Sequence, residues 1–176
     1  MEHTNERTVR YLQDAHAAEV GIEKMLEKFA DQAEVPEIAQ LMREHLQVTR
    51  RQAERLEARL RAFGEEPSGS KGFFNSIMAK VSELMNAAHD EEDQRTQDLV
   101  KAYATEHLEI GMYESLAAYC ESIGDTETAQ LARELQAEEE QAAEMVFPHI
   151  AHAAEITAGE ASMDQANGTE LRASNF

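Results

Sequence analysis

The chain has 176 residues, 42% of them apolar and 29% charged, which points to one globular domain with a sizeable core. Sixteen Lys and Arg against 35 Asp and Glu leave a net charge of −19, a field that repels phosphate backbones and argues against nucleic acid as a partner. A single cysteine, Cys120, rules out an intrachain disulfide, and the polar N-terminus, with no apolar run of about 18 residues, predicts a cytoplasmic protein without a membrane partner.

Apolar residues at Val9, Leu12, Ala15, Ile22, Leu26 and Phe29 recur at helical spacing and predict a first helix over about 8–33. Pro36 suits the start of a second helix, which Ile38, Leu41, Leu56, Leu60 and Phe63 outline as far as Gly64. After the loop "GEEPSGSKG", a short helix over about 74–88 carries Ile77, Val81, Leu84 and Met85 on one stripe and reads as a crossover segment. A third long helix is predicted over about 93–123, stopped by Gly124, with Asp125 placed to cap a fourth over about 126–147. Pro148 should kink or end that helix. The polar residues beyond it predict a division into a bundle at 1–157 and a disordered tail at 158–176. Four long helices in two hairpins, joined by one longer connection, describe an all-α four-helix bundle with a short crossover helix between the second and third long helices.

The apolar stripes run through polar residues. Glu19 lies on the stripe of the first helix, and His45, Thr49 and Gln52 lie on that of the second. Glu106 lies on the third, with Glu109 one turn before Tyr113. In the fourth, the series Leu131, Leu135, Ala142 and Met145 passes through Glu138, with Glu139 beside it. Glu19 and Thr49 each stand about 15 residues from the first turn, roughly 22 Å along a helix. Glu109 and Glu139 stand equally far from Gly124, so all four helices place acid or polar side chains at one depth.

Buried carboxylates without partners cost several kcal/mol each and repel one another, so the group needs protons or cations. A divalent metal pair meets that need, and bundles of this architecture house di-iron or di-manganese centres among inward carboxylates and histidines. His45 reads equally as a satisfied buried histidine or as a ligand. Tyr113 reads as core packing or as a hydrogen-bonding neighbour of the site, beside Thr49 and Gln52.

The stretches "LQDAHAAEVGIEKML", "EHLQVTRRQAERLE", "TEHLEIGMYESL" and "ELQAEEEQAAE", in this order over about residues 8–150, resemble the core motifs of the YciE/YciF stress-protein family, a branch of the ferritin-like superfamily. The resemblance implies a ferritin-like four-helix bundle, often a homodimer, with a dinuclear centre of two iron ions, or manganese in their place. Carried onto matching positions, it implies Glu19, His45, Glu106, Glu109, Glu138 and Glu139 as metal ligands. The wider superfamily's Glu-x-x-His signature is missing, since Met42 precedes His45 by three residues and Gln141 and Ala142 follow the paired acids. The expected function is that of a stress-response metal protein reacting with peroxide or oxygen. The alternatives are a non-catalytic structural or oligomerising stress protein whose metal site is vestigial or structural, and iron storage.

Overall fold

The computed structural model describes residues 2–67, 79 and 94–173. Four long helices account for almost all of them: α1 Glu2–Gln32, α2 Pro36–Ala62, α3 Gln94–Ile123 and α4 Thr126–Ala173. The crossover helix expected over about 74–88 lies outside the described residues.

The turns follow from local chemistry. Val35 is extended and Pro36 takes the first helical position of α2, where its missing N–H is no loss. Gly64 and Gly124 adopt φ of +78° and +80°, the left-handed conformation that closes a helix without a Cβ penalty. Past Gly64, the Glu65 N–H bonds back to the Leu60 carbonyl at 3.1 Å, and past Gly124 the Asp125 N–H bonds to Cys120 at 2.9 Å. Asp125 then caps α4, accepting from the Thr128 N–H at 3.1 Å and from its hydroxyl at 2.6 Å.

Side-chain pairings give the helix directions. Thr8 meets Cys120 and Glu19 meets Tyr113, so α1 and α3 are antiparallel. Arg59 meets Asp125 and Arg55 meets Glu134, so α2 and α4 are antiparallel as well. Because each hairpin is also antiparallel, α2 and α3 run the same way: α2 ends beside the α3–α4 turn, whereas α3 starts beside the α1–α2 turn, where Arg95 pairs with Glu34. The chain must therefore cross the length of the bundle between them, about 45 Å for a helix of α3's size, which is the one-crossover connectivity of ferritin-like bundles.

The core divides into two apolar clusters. Leu12, Ala15, Leu56, Leu60, Tyr113, Leu116 and Leu135 fill the half nearer Gly124. Ile22, Leu26, Phe29, Met42, Leu99 and Val146 fill the half nearer the α1–α2 turn. The seam between them is polar and buried, and it holds Glu19, His45, Thr49, Gln52, Glu106, Glu109 and Glu139. Among the described residues no helix is long and apolar enough to cross a membrane.

Two features differ from the sequence expectation. Helix α4 does not end at Pro148; it passes through it and continues to Ala173, over the stretch read as a tail. Pro148 forfeits one backbone hydrogen bond, but Val146 and Ala153 on either side of it are both buried in the same apolar cluster, which keeps both flanks of the proline packed on the core. Beyond residue 157 the side chains through Met163 are exposed, and the helix is carried by Ala, Glu, Gln and Met, which are good helix formers. Met145, placed on the inner stripe by its apolar character, is 43% exposed, and Val146 takes the core position.

Because Pro148 is itself exposed, Pro148→Ala restores a hydrogen bond without emptying the core. Stability should rise by about 1–3 kcal/mol, less than the full cost of an interior proline because the chain has adapted to it. Urea unfolding measures this, and a lowered midpoint would show that the proline ring itself stabilises the helix.

Candidate metal centre

Each helix lends the polar layer at least one group. On α1, Glu19 is fully buried, and its Oε1 accepts a hydrogen bond from the Tyr113 hydroxyl of α3. That bond fixes the carboxylate and leaves Oε2 without a partner. On α2, one and two turns further along from His45, Thr49 and Gln52 share its inward face and are buried with it. On α3, Glu106 and Glu109 are separated by one helical turn, so both face inward, at 0% and 2% exposure. On α4, Glu139 is buried at 1% and accepts from the Gln52 amide.

Buried polar atoms are satisfied in nearly all proteins, yet here the unpartnered ones are concentrated in this layer. Glu19 Oε2, both nitrogens of His45, Gln52 Oε1, both oxygens of Glu106 and Glu109 Oε1 have no hydrogen-bond partner. His45 Nε2 lies 3.2 Å from Glu106 Oε1, but without the alignment of a hydrogen bond. Burial also holds the imidazole's pKa below its ordinary 6.5, against the pull of Glu139, so the contact is not an ion pair at neutral pH. Donor atoms of His45, Glu106 and Glu139 all fall within 4.8 Å of one another. Lone pairs that converge without pairing are what a cation requires; Glu19 and Glu109 are buried in the same layer but lie outside this group of three, and an oxygen-rich donor set with one imidazole would suit iron or manganese.

The electrostatics agree. Burial is the main reason that Glu106 is pushed up to about 7 and Glu139 up to about 9, from an ordinary 4.5. Glu19 and Glu109 are raised well above the same value, first by burial and then by neighbouring acids, Glu139 for the one and Glu19 for the other. Burial beside Glu19 also raises the Tyr113 phenol, which keeps its proton as donor.

Glu138 is placed differently. Consecutive helical residues point about 100° apart, so α4 cannot turn both of its acids inward. The Glu138 side chain is 38% exposed and pairs with Arg55 at 2.7 Å, while its other oxygen accepts from Gln52 at 3.1 Å. Arg55 was missed by sequence reasoning. It looks like one more charge in "RRQAER", and only the antiparallel packing of α2 on α4 brings it to Glu138. Thr105 was missed too: it is buried beside Glu106 and donates to the Ala102 carbonyl at 2.6 Å. His107 faces out, its Nδ1 3.1 Å from the Tyr103 carbonyl.

The raised acids determine how stability depends on pH. A carboxyl with a folded pKa above its unfolded one binds protons better when folded, so its stabilising effect is present below the ordinary value and lost as pH rises through the raised one. His45 works the other way, but only below 6.5. Without metal, the melting temperature should therefore fall between about pH 7 and 9, where exposed acids are already ionised and His45 is neutral in both states. With Mn²⁺ present the fall should disappear or reverse, because ligands bind the ion in their ionised form. Thermal melts in chelator and in Mn²⁺ across this range test both halves.

Residues 4–161 match the family described as a domain of unknown function, DUF892. Among solved structures, a protein from Xanthomonas campestris pv. campestris is 27% identical with a TM-score of 0.76, the alignment covering 90% of this chain and 99% of that one. YcfI from Rhodopseudomonas palustris is 26% identical with a TM-score of 0.71, covering 81% and 92%. The E. coli stress protein YciF, at 20% identity, shares the fold, with a TM-score of 0.74 over 88% of this chain and 99% of that one. The chain belongs to the DUF892 family, in agreement with the YciE/YciF resemblance of its four core motifs.

Proposed function

We propose that the protein is a dinuclear metal protein, in which Glu19, His45, Glu106, Glu109 and Glu139 hold two divalent ions, iron or manganese, and that the loaded centre reacts with peroxide or oxygen. The observation that carries this reading is the concentration of unpartnered oxygen and nitrogen atoms in a dry layer fed by all four helices. Charge balance supports the number of ions, since four carboxylates neutralise two divalent cations. When bound, such a pair supplies a store of two electrons for an oxidant.

The chain's own residues do the rest. Tyr113 holds Glu19 in one orientation through its hydroxyl, and the Gln52 amide does the same for Glu139. The apolar clusters above and below the layer keep out water, which strengthens every charge interaction inside it and protects reactive species from side reactions. The solved E. coli protein of the same fold is described as a stress protein, and the stress role proposed here is joined to the expectations of the sequence and its family resemblance, a cytoplasmic homodimer.

A second reading, a structural clamp without turnover, has one observation in its favour. A cavity of about 740 Å³ opens at the α1–α2 end, lined by Phe29, Ile38, Met42, Asp98 and Leu99 among others, but by no residue of the polar layer.

Elemental analysis by mass spectrometry decides first. About two ions of iron or manganese per chain, lost in Glu19→Ala and Glu106→Ala, would support the dinuclear centre, and a change in its absorption on adding hydrogen peroxide would support the redox role. Metal that peroxide leaves unaltered would favour the clamp. A protein prepared without chelator that carries no metal would refute both.

Glu109→Leu separates the needs of metal binding from those of folding. Replacing a buried, unpartnered acid with an apolar side chain should stabilise the metal-free protein by about 1–4 kcal/mol. The same variant should lose the stabilisation that the parent gains from added Mn²⁺. Denaturant unfolding with and without the ion reads both effects.

A further inference from the structure

A centre buried between two apolar clusters needs a route by which ions reach it. Leu12, Ala15, Leu56, Tyr113 and Leu135 lie on one side of the polar layer, and Ile22, Met42, Leu99 and Val146 on the other. A hydrated divalent ion cannot cross either without shedding its water against carbon, which costs far more than thermal energy supplies.

The α2–α4 face offers a polar path. Glu138 is the only one of the six expected ligands whose side chain is substantially in contact with solvent. It touches the interior through Gln52, whose Nε2 bridges Glu138 Oε2 on the outside and Glu139 Oε1 on the inside. Gln52 is completely buried, and its Oε1 has no partner. Solvent-facing carboxylate, buried amide and buried carboxylate thus follow one another inward across a single pair of helices. Outside, Arg55 holds Glu138 at 2.7 Å and Glu134 at 2.6 Å.

We propose that Glu138, Gln52 and Glu139 form the entry path for divalent cations, and that Arg55 latches it by occupying Glu138 until an arriving ion displaces the guanidinium. This rests on the dinuclear reading above and assigns Glu138 a transit role instead of a place at the resident ions. The latch is weak enough to open. Both partners are partly exposed, at 32% and 38%, and such ion pairs contribute little net stability. An ion at Glu138 also gains the field of the acids behind it, whereas Arg55 keeps Glu134 as an alternative partner. The Gln52 amide needs no charge change to serve the path: turning about its last side-chain torsion would replace the nitrogen between the two carboxylates by the unpartnered oxygen, an acceptor for a passing cation.

Stopped-flow uptake of Co²⁺ by the full-length, metal-free protein tests the path, with the Co²⁺ absorption band reporting occupancy and equilibrium dialysis counting the ions. Glu138→Gln should slow uptake by about tenfold or more, since a carboxylate at the mouth concentrates cations there, and leave the number of ions at equilibrium unchanged. Arg55→Gln should speed both uptake and release. Opposite effects of the two variants on rate would separate a latched path from a general loss of structure. Unchanged uptake in both variants would overturn the proposal, as would a Glu138→Gln protein that fills at the parent rate but holds fewer ions, which would make Glu138 a resident ligand. A parent protein that takes up no Co²⁺ would instead sink the dinuclear reading, and the entry path with it.

Discussion

The constraint on which this structure depends is the desolvation of four carboxylates and an imidazole in one layer halfway along a helical bundle. Each lies on the inner face of its helix, where packing demands an apolar group, and each has lost the water that would stabilise its charge. The apolar clusters on either side carry the stability of the fold, so the layer is a cost that the rest of the core offsets. Connectivity makes the layer possible. With every packed pair of helices antiparallel and α2 and α3 parallel across the core, positions equally far from the two turns meet at one depth, and donor atoms of His45, Glu106 and Glu139 come within 4.8 Å of one another.

Such a layer has two ways to exist at neutral pH. It can hold protons, as the raised pKa values of Glu106 and Glu139 describe, or it can exchange them for cations. Which prevails is a competition between proton affinity and ion affinity, and the neighbours bias it. The Tyr113 and Gln52 donors each hold one oxygen of a carboxylate, which orients the acid, and the second oxygen of Glu19 is left without a partner. Hydrogen bonds to the ionised form also favour deprotonation, so these two side chains favour cations. The surface acts in the same sense at longer range, because a net charge of −19 concentrates divalent cations around the molecule.

Much of this was legible in the sequence, and the reason is periodic. In α1 the buried residues Leu12, Glu19 and Leu26 are seven apart, and in α3 so are Leu99, Glu106, Tyr113 and Cys120. The polar members stand out because apolar residues flank them at the same spacing. In α4 the pattern misleads by one position. Leu131, Glu138 and Met145 form a heptad series with large apolar ends, but the buried series is Ala132, Glu139, Val146 and Ala153. Alanine signals a core position weakly, because it is equally at home on a helix surface, so the larger side chains drew the seam one residue early. The same ambiguity left Glu138 and Glu139 undivided. The continuation of α4 past Pro148 was hidden for another reason: proline's local cost is readable in sequence, whereas Ala153 packing against the far end of the bundle is not.

The donor set narrows what the layer can do. With Ala142 where a Glu-x-x-His pattern would place a histidine, α4 brings one inward acid and no imidazole, and α3 brings two acids. Four carboxylates and a single imidazole make a hard, oxygen-rich and fully charge-compensating environment for two divalent ions, in which thiolate-seeking metals have no advantage. Such ligation favours higher oxidation states, because each added positive charge is met by anionic oxygen in a medium of low dielectric. Four negative charges would balance two divalent ions, so oxidation of a bound pair would leave the layer positively charged unless an anion or the loss of a proton restored balance. Tyr113 is a buried proton donor of this layer, hydrogen-bonded to Glu19, with its pKa raised first by burial and then by the acids around it. A cationic pair would oppose the part of that elevation that the acids contribute. The group that orients Glu19 is therefore also the group whose acidity would respond most directly to the charge of the centre.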